Sequence, residues 1–525
     1  MQAKRGSRRR DVVVSLFAVA ALAAWVAACV GDDAANVTGG GTGTDGGPGA
    51  DGSVTPGTDS SVTPGSDSGT DAGCVSASCV DNGAALSCAG SKVTCGYGCA
   101  PATGTSAAHC RVFDPTGAVE PSDLSQAGLM DFSGKNLKFF TDTGRITTSD
   151  EATEIRPANG MATVEEVSAN GIGFRLVAGK VGIFQFKNFT LQTSTDFLES
   201  NGAKGNVPLA IVAAEEVKIN GVLDLGCTTR PFNPYPPAGG YSGSGAPANA
   251  QTQVDGNGPG GGKAGNKSPA TGGNVISGGG GGGHAVMGGN GGDGLASSGA
   301  ESVRFGGVGG AAYDDGLFDP PLGGSGGGAG NTSGGGGGGA VQIVAGVRIT
   351  IGNGAGPDAG TIGQGINAGG CGGGGGFGSQ SAGGGGSGGT ILLEAPEVVG
   401  KANAGVAANG GGGGGQVGMF GTDAQNGSIT TTPAAGVLAV NCTGGAPTQA
   451  FGSGGSGGAG STPGGTQGQA PSGCPGGVTK YGGGGGGSVG RVKILTASGN
   501  VTTDPSFVIS PTVAPAFQKA NIATR

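Results

Sequence analysis

Apolar positions along the chain come in short runs that alternate with polar ones, and beyond residue 120 none of them recurs at the spacing of a helix face. Gly173-Phe174-Arg175-Leu176-Val177 and Phe184-Gln185-Phe186 show the period of two that points successive side chains to opposite faces of a strand. Five segments share one layout, an apolar strand, a short turn, a second apolar strand and then Asn or Asp with Gly: Phe184 to Gly202, Leu209 to Gly226, Val341 to Gly369, Ile391 to Gly410 and Val492 to Pro511. Each unit is too short to bury its own apolar face. Stacked, each strand would hydrogen-bond its equivalent in the next unit about 4.8 Å away, giving a core roughly 20 to 25 Å long. The pattern predicts a mainly β chain built as a short parallel β-helix, with a β-sandwich carrying Gly-rich loops as the alternative.

Between the units lie long excursions, 228–338, 370–389 and 411–487, with uninterrupted tracts such as Gly278 to Gly283, Gly334 to Gly339 and Gly482 to Gly487. The 525 residues include 128 Gly and 27 Pro, a share that argues against one continuous globular core, and the absence of a Gly-X-Y period excludes collagen. Fixing a backbone residue costs about 1–2 kcal/mol, and Gly loses more than any other type. Two states are open to the excursions. They are disordered loops clamped at both ends, or extended threefold helices that pair N–H and C=O groups side by side. The tracts resemble the polyglycine bundles of some phage-tail adhesins and of a Gly-rich region of certain receptor kinases, which implies packed polyglycine II helices. The β units are similar in texture to the repeats of secreted β-helical haemagglutinin-type adhesins.

At the N-terminus, Lys4, Arg5, Arg8, Arg9 and Arg10 precede an apolar run from Val12 to Ala28, which closes on Val26-Ala27-Ala28-Cys29. This is the order of an export signal. The closing tetrapeptide resembles a bacterial lipobox, which implies cleavage after residue 28, acylation of Cys29 and, with Val30 next, transfer to the outer membrane. Several acyl chains would anchor stably where one would not. Loss of residues 1–28 leaves 22 basic and 34 acidic residues out of 27 and 35, a net charge of −12. So acidic and sparsely charged a surface excludes a nucleic-acid partner. Residues 29–73 are nearly all Gly, Thr, Ser, Asp, Pro and Ala and read as a disordered, hydrated tether.

Residues 74–112 hold Cys74, Cys79, Cys88, Cys95, Cys99 and Cys110. An even number of Cys in an exported chain predicts a small disulfide module, with the pairing open among fifteen possibilities. In the β-repeat domain, 113–525, Cys227 and Cys371 each follow the end of a unit, so stacking would bring them within disulfide reach. Cys442 and Cys474 lie in one excursion and would close a loop within it.

Candidate chemistry is sparse. His109 lies in the Cys module and His284 in Gly-rich sequence, which leaves a Ser-His-Asp triad without a good base. Glu165-Glu166 and Glu215-Glu216 are adjacent on strands and face opposite ways, Asp314-Asp315 lies in an excursion, and no two carboxylates are evident at matched positions of the units. No cofactor or metal is expected. The Gly288-to-Leu295 stretch matches the calcium nonapeptide of RTX proteins only once, and Gly260 to Ala264 resembles a P-loop without its hydroxyl residue. Tyr235, Tyr241, Tyr313 and Tyr481 all lie in excursions. Tyr on Gly, Ser and Asn loops is the composition of a binding surface, and the competing reading has each ring capping a Gly tract.

Signal, tether, Cys module and Gly-interrupted units together resemble Gly-rich predicted lipoproteins of the myxobacterial, deltaproteobacterial type, in which the spacing Cys88, Cys95, Gly98-Cys99, Cys110 is common. The resemblance implies an architecture and transfers no catalytic residue. The expected function is a non-enzymatic outer-membrane lipoprotein with an adhesive or envelope-structural role. Its partners would be the membrane, through the lipid anchor, and glycans or cell-surface proteins. The alternative is a β-helical polysaccharide lyase or hydrolase.

Overall fold

Each unit folds as three strands that turn around a shared core. In the computed structural model the first unit forms Val181–Phe186, Phe189–Leu191 and Asn201–Lys204, and the second Leu209–Ala213, Glu216–Ile219 and Val222–Asp224. The third, fourth and fifth units begin at Ala340–Ala345, Thr390–Glu394 and Arg491–Thr496. The sequence predicts two strands per unit. The third arises because the Asn/Asp-Gly element itself pairs, as in Gln364–Asn367 and Ala404–Ala407, where short side chains and Gly give no strand propensity to read. The structure describes residues 77–525 except 82–84, 89–90, 96, 104–105, 159–165, 178, 194–200, 228–236, 246–252, 269–273, 297–302, 314–315, 317, 355–362, 377–379, 418–419, 440–448 and 473–477. The signal and tether with Cys29, and also Cys74, Glu165, Tyr235, Asp314, Asp315, Cys442 and Cys474, lie outside the described residues, as does the side chain of Cys88.

Equivalent strands of successive units pair in parallel and in register, making three sheets. In the first sheet Phe184, Ile211, Ile343, Leu393 and Ile494 stand in one row. The second sheet aligns Phe189, Val217, Ile349 and Val398, and the third Leu223, Ile366, Val406 and Ile509. These rows meet in one core between the sheets. A slip of one residue would turn a whole row outward, so burial fixes the register. Antiparallel strands flank the first unit: Gly173–Val177 pairs with Val181–Phe186, and Arg145–Thr148 with Leu137–Phe140.

The sheets differ in what covers them. First-sheet strands read as continuous apolar runs, Leu-Ala-Ile-Val-Ala in the second unit, because both faces are buried. The outer face is covered by Phe113 and Val119, packed on Ile183, Val212, Val344 and Leu392. Two polar contacts pin this covering segment. Thr116 donates its N–H and hydroxyl to Glu394, and Asp123 accepts from Arg175, Gln185 and the Glu120 N–H. Second-sheet strands such as Glu216–Ile219 and Arg348–Ile351 alternate instead, leaving their outer face to solvent.

The Cys module belongs to the same unit of structure, Pro64–Arg525. Disulfides join Cys79 to Cys99 and Cys95 to Cys110. Tyr97 anchors the module on the first sheet, donating to the Gly346 carbonyl at 2.6 Å, and burial pushes its hydroxyl pKa up to about 12. At the other end of the chain Ala523–Thr524 pairs with Phe113–Asp114.

Candidate functional site

The glycine tracts continue directly from the sheets: Gly334–Gly339 runs into Ala340, and Gly482–Gly490 into Arg491. Their backbone hydrogen bonds have a period of three. Gly278 and Gly281 donate to Gly292 and Gly289, Gly279 and Gly282 to Ala382 and Gly385, and Gly280 and Gly283 to Lys263 and Gly260, at 2.8–3.0 Å. The carbonyls of the same tract accept from three further neighbours, through Gly307 and Gly310, Gly328, and Gly485 and Ser488. One extended chain is thus paired on six sides, as three residues per turn require. Gly482–Ser488 has the same arrangement, donating to Ile276 and Gly279, Gln469 and Thr466, and Gly414 and Gly411.

Glycine is needed here for close approach. A Cβ at Gly281 would collide with the Gly486 carbonyl oxygen, at Gly280 with that of Val308, and at Gly279 with that of Gly328. Each Cα hydrogen faces a carbonyl across the gap, a weak contact repeated through the array. Serine hydroxyls also accept within the array. Buried Ser325, Ser387 and Ser488 accept from the N–H groups of Gly260, Ser325 and His284.

At the rim the sequence changes to one non-Gly residue in three. In Met287-Gly-Gly-Asn290-Gly-Gly-Asp293 the glycines point inward, while Asn290 and Asp293 accept from the Gly309 and Gly306 N–H groups of the adjoining tract. This stretch, which matches a calcium nonapeptide by sequence, is an edge of the array. The P-loop look-alike is another tract, with Lys263 paired to Asp255 at 3.0 Å. In the adjoining tract Phe305, Val308 and Ala311 are exposed and three residues apart, and Met287 is exposed beside them in sequence phase with Asn290. The sequence reading overlooked these residues, although the spacing of non-Gly positions carries the signal.

Of the sequence-predicted tyrosines, Tyr241 and Tyr313 are brought together at the turn around Gly258–Gly260, against which both rings pack. Tyr313 also stacks on His284 at 4.7 Å and donates to the Gly323 carbonyl at 2.5 Å. Tyr481 lies apart, buried and stacked on Phe451. His284 is fully buried, with Nδ1 2.7 Å from the Gly388 carbonyl, which makes Nδ1 the protonated donor. It sits in the wall of the array. His109 Nδ1 lies 3.0 Å from the neighbouring Ala107 carbonyl. Cys227 and Cys371 form a disulfide that ties two excursions where they leave the third sheet.

The second sheet carries a row of charged side chains on its outer face. Glu216, Arg348 and Glu397 stand in register on three adjacent strands. Arg348 donates to Glu397 at 2.7 Å and lies 3.7 Å from Glu216. Two carboxylates therefore do recur at matched positions of the units, contrary to the sequence reading, which the intervening Arg obscured. Next to them is an open cavity of about 520 Å³ lined by Asp131, Asn188, Thr190, Glu215, Glu216 and Lys218. The Asn188 amide donates to both Asp131, at 2.9 Å, and Glu215, at 2.7 Å. Glu215 is half exposed and Asp131 exposed, so the pair lies open to solvent.

Elsewhere, loss of solvent raises the pKa of two carboxyl groups, that of fully buried Glu394 and that of partly exposed Asp224. Burial pushes the Glu394 pKa up, opposed by hydrogen bonds from Thr116 and Gln342. It does the same to Asp224, against the Gly226 N–H and the Asn367 amide. Among the described residues no cluster of His, Cys, Asp or Glu is placed to hold a metal ion, and no helix is long and apolar enough to cross a membrane. Comparison with protein-family models, curated proteins and solved structures finds no match to the chain.

Proposed function

We propose that the chain is a non-enzymatic, lipid-anchored scaffold of the outer membrane, with an adhesive or envelope-structural role, built as a parallel β-solenoid that carries a polyglycine II bundle. The observation that carries this reading is the pairing of Gly278–Gly283 on six sides. An array of this kind is rigid and almost free of side chains inside, and it presents functional groups only at its rim. That suits display of a surface better than assembly of a catalytic centre. The basic and apolar segment ending at Cys29, followed by a long polar stretch, supports anchoring at a distance from the lipid.

Cell fractionation with surface proteolysis, comparing the native chain with Cys29→Ala, tests this function. The native protein is expected in the outer membrane, the variant to be released, and a deletion strain to lose cell or surface attachment or envelope integrity. Unchanged membrane association of Cys29→Ala, or a deletion strain indistinguishable in both properties, would overturn it.

The polysaccharide-acting alternative is favoured by one observation, the Asp131 and Glu215 pair bridged by Asn188 in an open cavity. Release of reducing ends from acidic polysaccharides that disappears in Asp131→Asn and Glu215→Gln would establish it.

A further inference from the structure

Tract 304–311 differs from the interior tracts in one respect. The N–H groups of Gly307 and Gly310 donate to Gly278 and Gly281, and those of Gly306 and Gly309 to Asp293 and Asn290. The third row, the N–H groups of Phe305, Val308 and Ala311, donates to nothing among the described residues. In Gly278–Gly283 all three such rows are taken by carbonyls of neighbouring tracts. The vacant row is bordered by the most exposed aromatic ring among the described residues, Phe305 at 71%, and by Val308 at 55%.

We propose that this edge binds an extended, proline-rich segment of a partner polypeptide in the threefold polyproline II conformation. Such a segment repeats every three residues, about 9 Å, so its carbonyls recur at the pitch of the vacant N–H row. Proline supplies the carbonyls, has no N–H that would be left unpaired, and is held in the extended form before binding, which lowers the ordering cost. Its rings lie on Phe305 and Val308, the aromatic contact that recognition of proline-rich strands uses elsewhere. The inference rests on the adhesive reading for its biological meaning, and it names the class of partner. It does not depend on membrane anchoring.

Fluorescein-labelled decaproline, titrated with the detergent-solubilised full chain and followed by anisotropy, tests the proposal apart from fractionation or attachment assays. Saturable binding is expected, with a labelled (Gly-Ser)5 peptide binding at least tenfold more weakly. Val308→Pro is the informative variant. It removes an N–H that bonds nothing among the described residues and keeps the Val308 carbonyl that accepts from Lys263. It is expected to weaken binding about tenfold with an unchanged unfolding midpoint, the scale of one hydrogen bond of about 1.4 kcal/mol. Phe305→Ser should weaken it similarly and covers the case in which the proline variant fails to fold. Leu438→Ser, on another exposed apolar residue, should leave binding unchanged. No saturable binding, equal binding of the (Gly-Ser)5 peptide, or native affinity in folded Val308→Pro and Phe305→Ser would overturn the proposal.

Discussion

At the scale of the residue, glycine does opposite things in different parts of this chain. Gly281 stands where any Cβ would collide with the Gly486 carbonyl oxygen, whereas nothing lies within 4 Å of a Cβ at Gly245. Gly281→Ala is therefore expected to lower the unfolding free energy by about 1–3 kcal/mol, the range for overpacking. Gly245→Ala should change it by less than about 0.5 kcal/mol. Urea midpoints measure both, and equal midpoints would show that the tracts are not closely packed. Glu394 and Asp224 make a second prediction. Burial raises both pKa values in the folded state, so that state holds its protons more tightly than the unfolded chain does. Their contribution is fully present below the ordinary carboxylate range, about pH 4, and is lost as pH rises through the higher folded-state values. Unfolding free energy should fall as pH rises above the ordinary carboxylate range, and the double variant Glu394→Gln with Asp224→Asn should flatten that slope. A variant profile parallel to the native one would reject the assignment.

At the scale of the element, a pure glycine tract is stable only by virtue of its neighbours, since it has neither hydrogen bonds within itself nor an apolar face. Protection against hydrogen exchange should follow each N–H group's acceptor rather than its distance along the chain. Gly278–Gly283 and Gly482–Gly487 are expected to be protected throughout. In 304–311 the N–H groups of Gly307 and Gly310 should exchange slowly and those of Phe305, Val308 and Ala311 at once. Uniform rapid exchange over all three tracts would contradict the pairing described. The β strands were largely legible: Leu209 begins its strand where the pattern begins, and Val341, Ile391 and Val492 each fall one residue inside theirs. The extra residue at those starts is Ala340, Thr390 or Arg491, whose place in the ladder is fixed by a backbone partner and not by an apolar pattern. The third strands were not legible as strands, because Val222–Asp224 and Ala404–Ala407 owe their conformation to pairing across units.

At the scale of the whole molecule, sheets and tracts hold each other in place. The sheets fix where each tract starts and ends, and the Cys227–Cys371 disulfide joins two of those departure points across 144 residues of sequence. Replacing both Cys by Ser is expected to cost about 2–5 kcal/mol in denaturant unfolding, the usual worth of a bridge closing so long a loop. A change below about 0.5 kcal/mol would mean that the array holds the two departure points without it. The covering segment works in the same way: Thr116 and Asp123 fasten it over the first sheet, and the chain's last strand pairs with its start.

The sequence by itself determined the repeating unit, its β character, the parallel stacking of equivalents and the reach of Cys227 to Cys371, because apolar period and spacing are local properties that any stacked arrangement must satisfy. It also held, unread, the distinction between pure glycine tracts and the one-in-three tracts of the rim. Only the tertiary structure decided which tract meets which, that Glu216, Arg348 and Glu397 form one ladder, and that tyrosines widely spaced in sequence split between a shared turn and a separate buried site. A glycine backbone offers the same donors and acceptors at every position, so its sequence cannot encode a partner. The choice is made by the strands and side chains that fix each tract's ends.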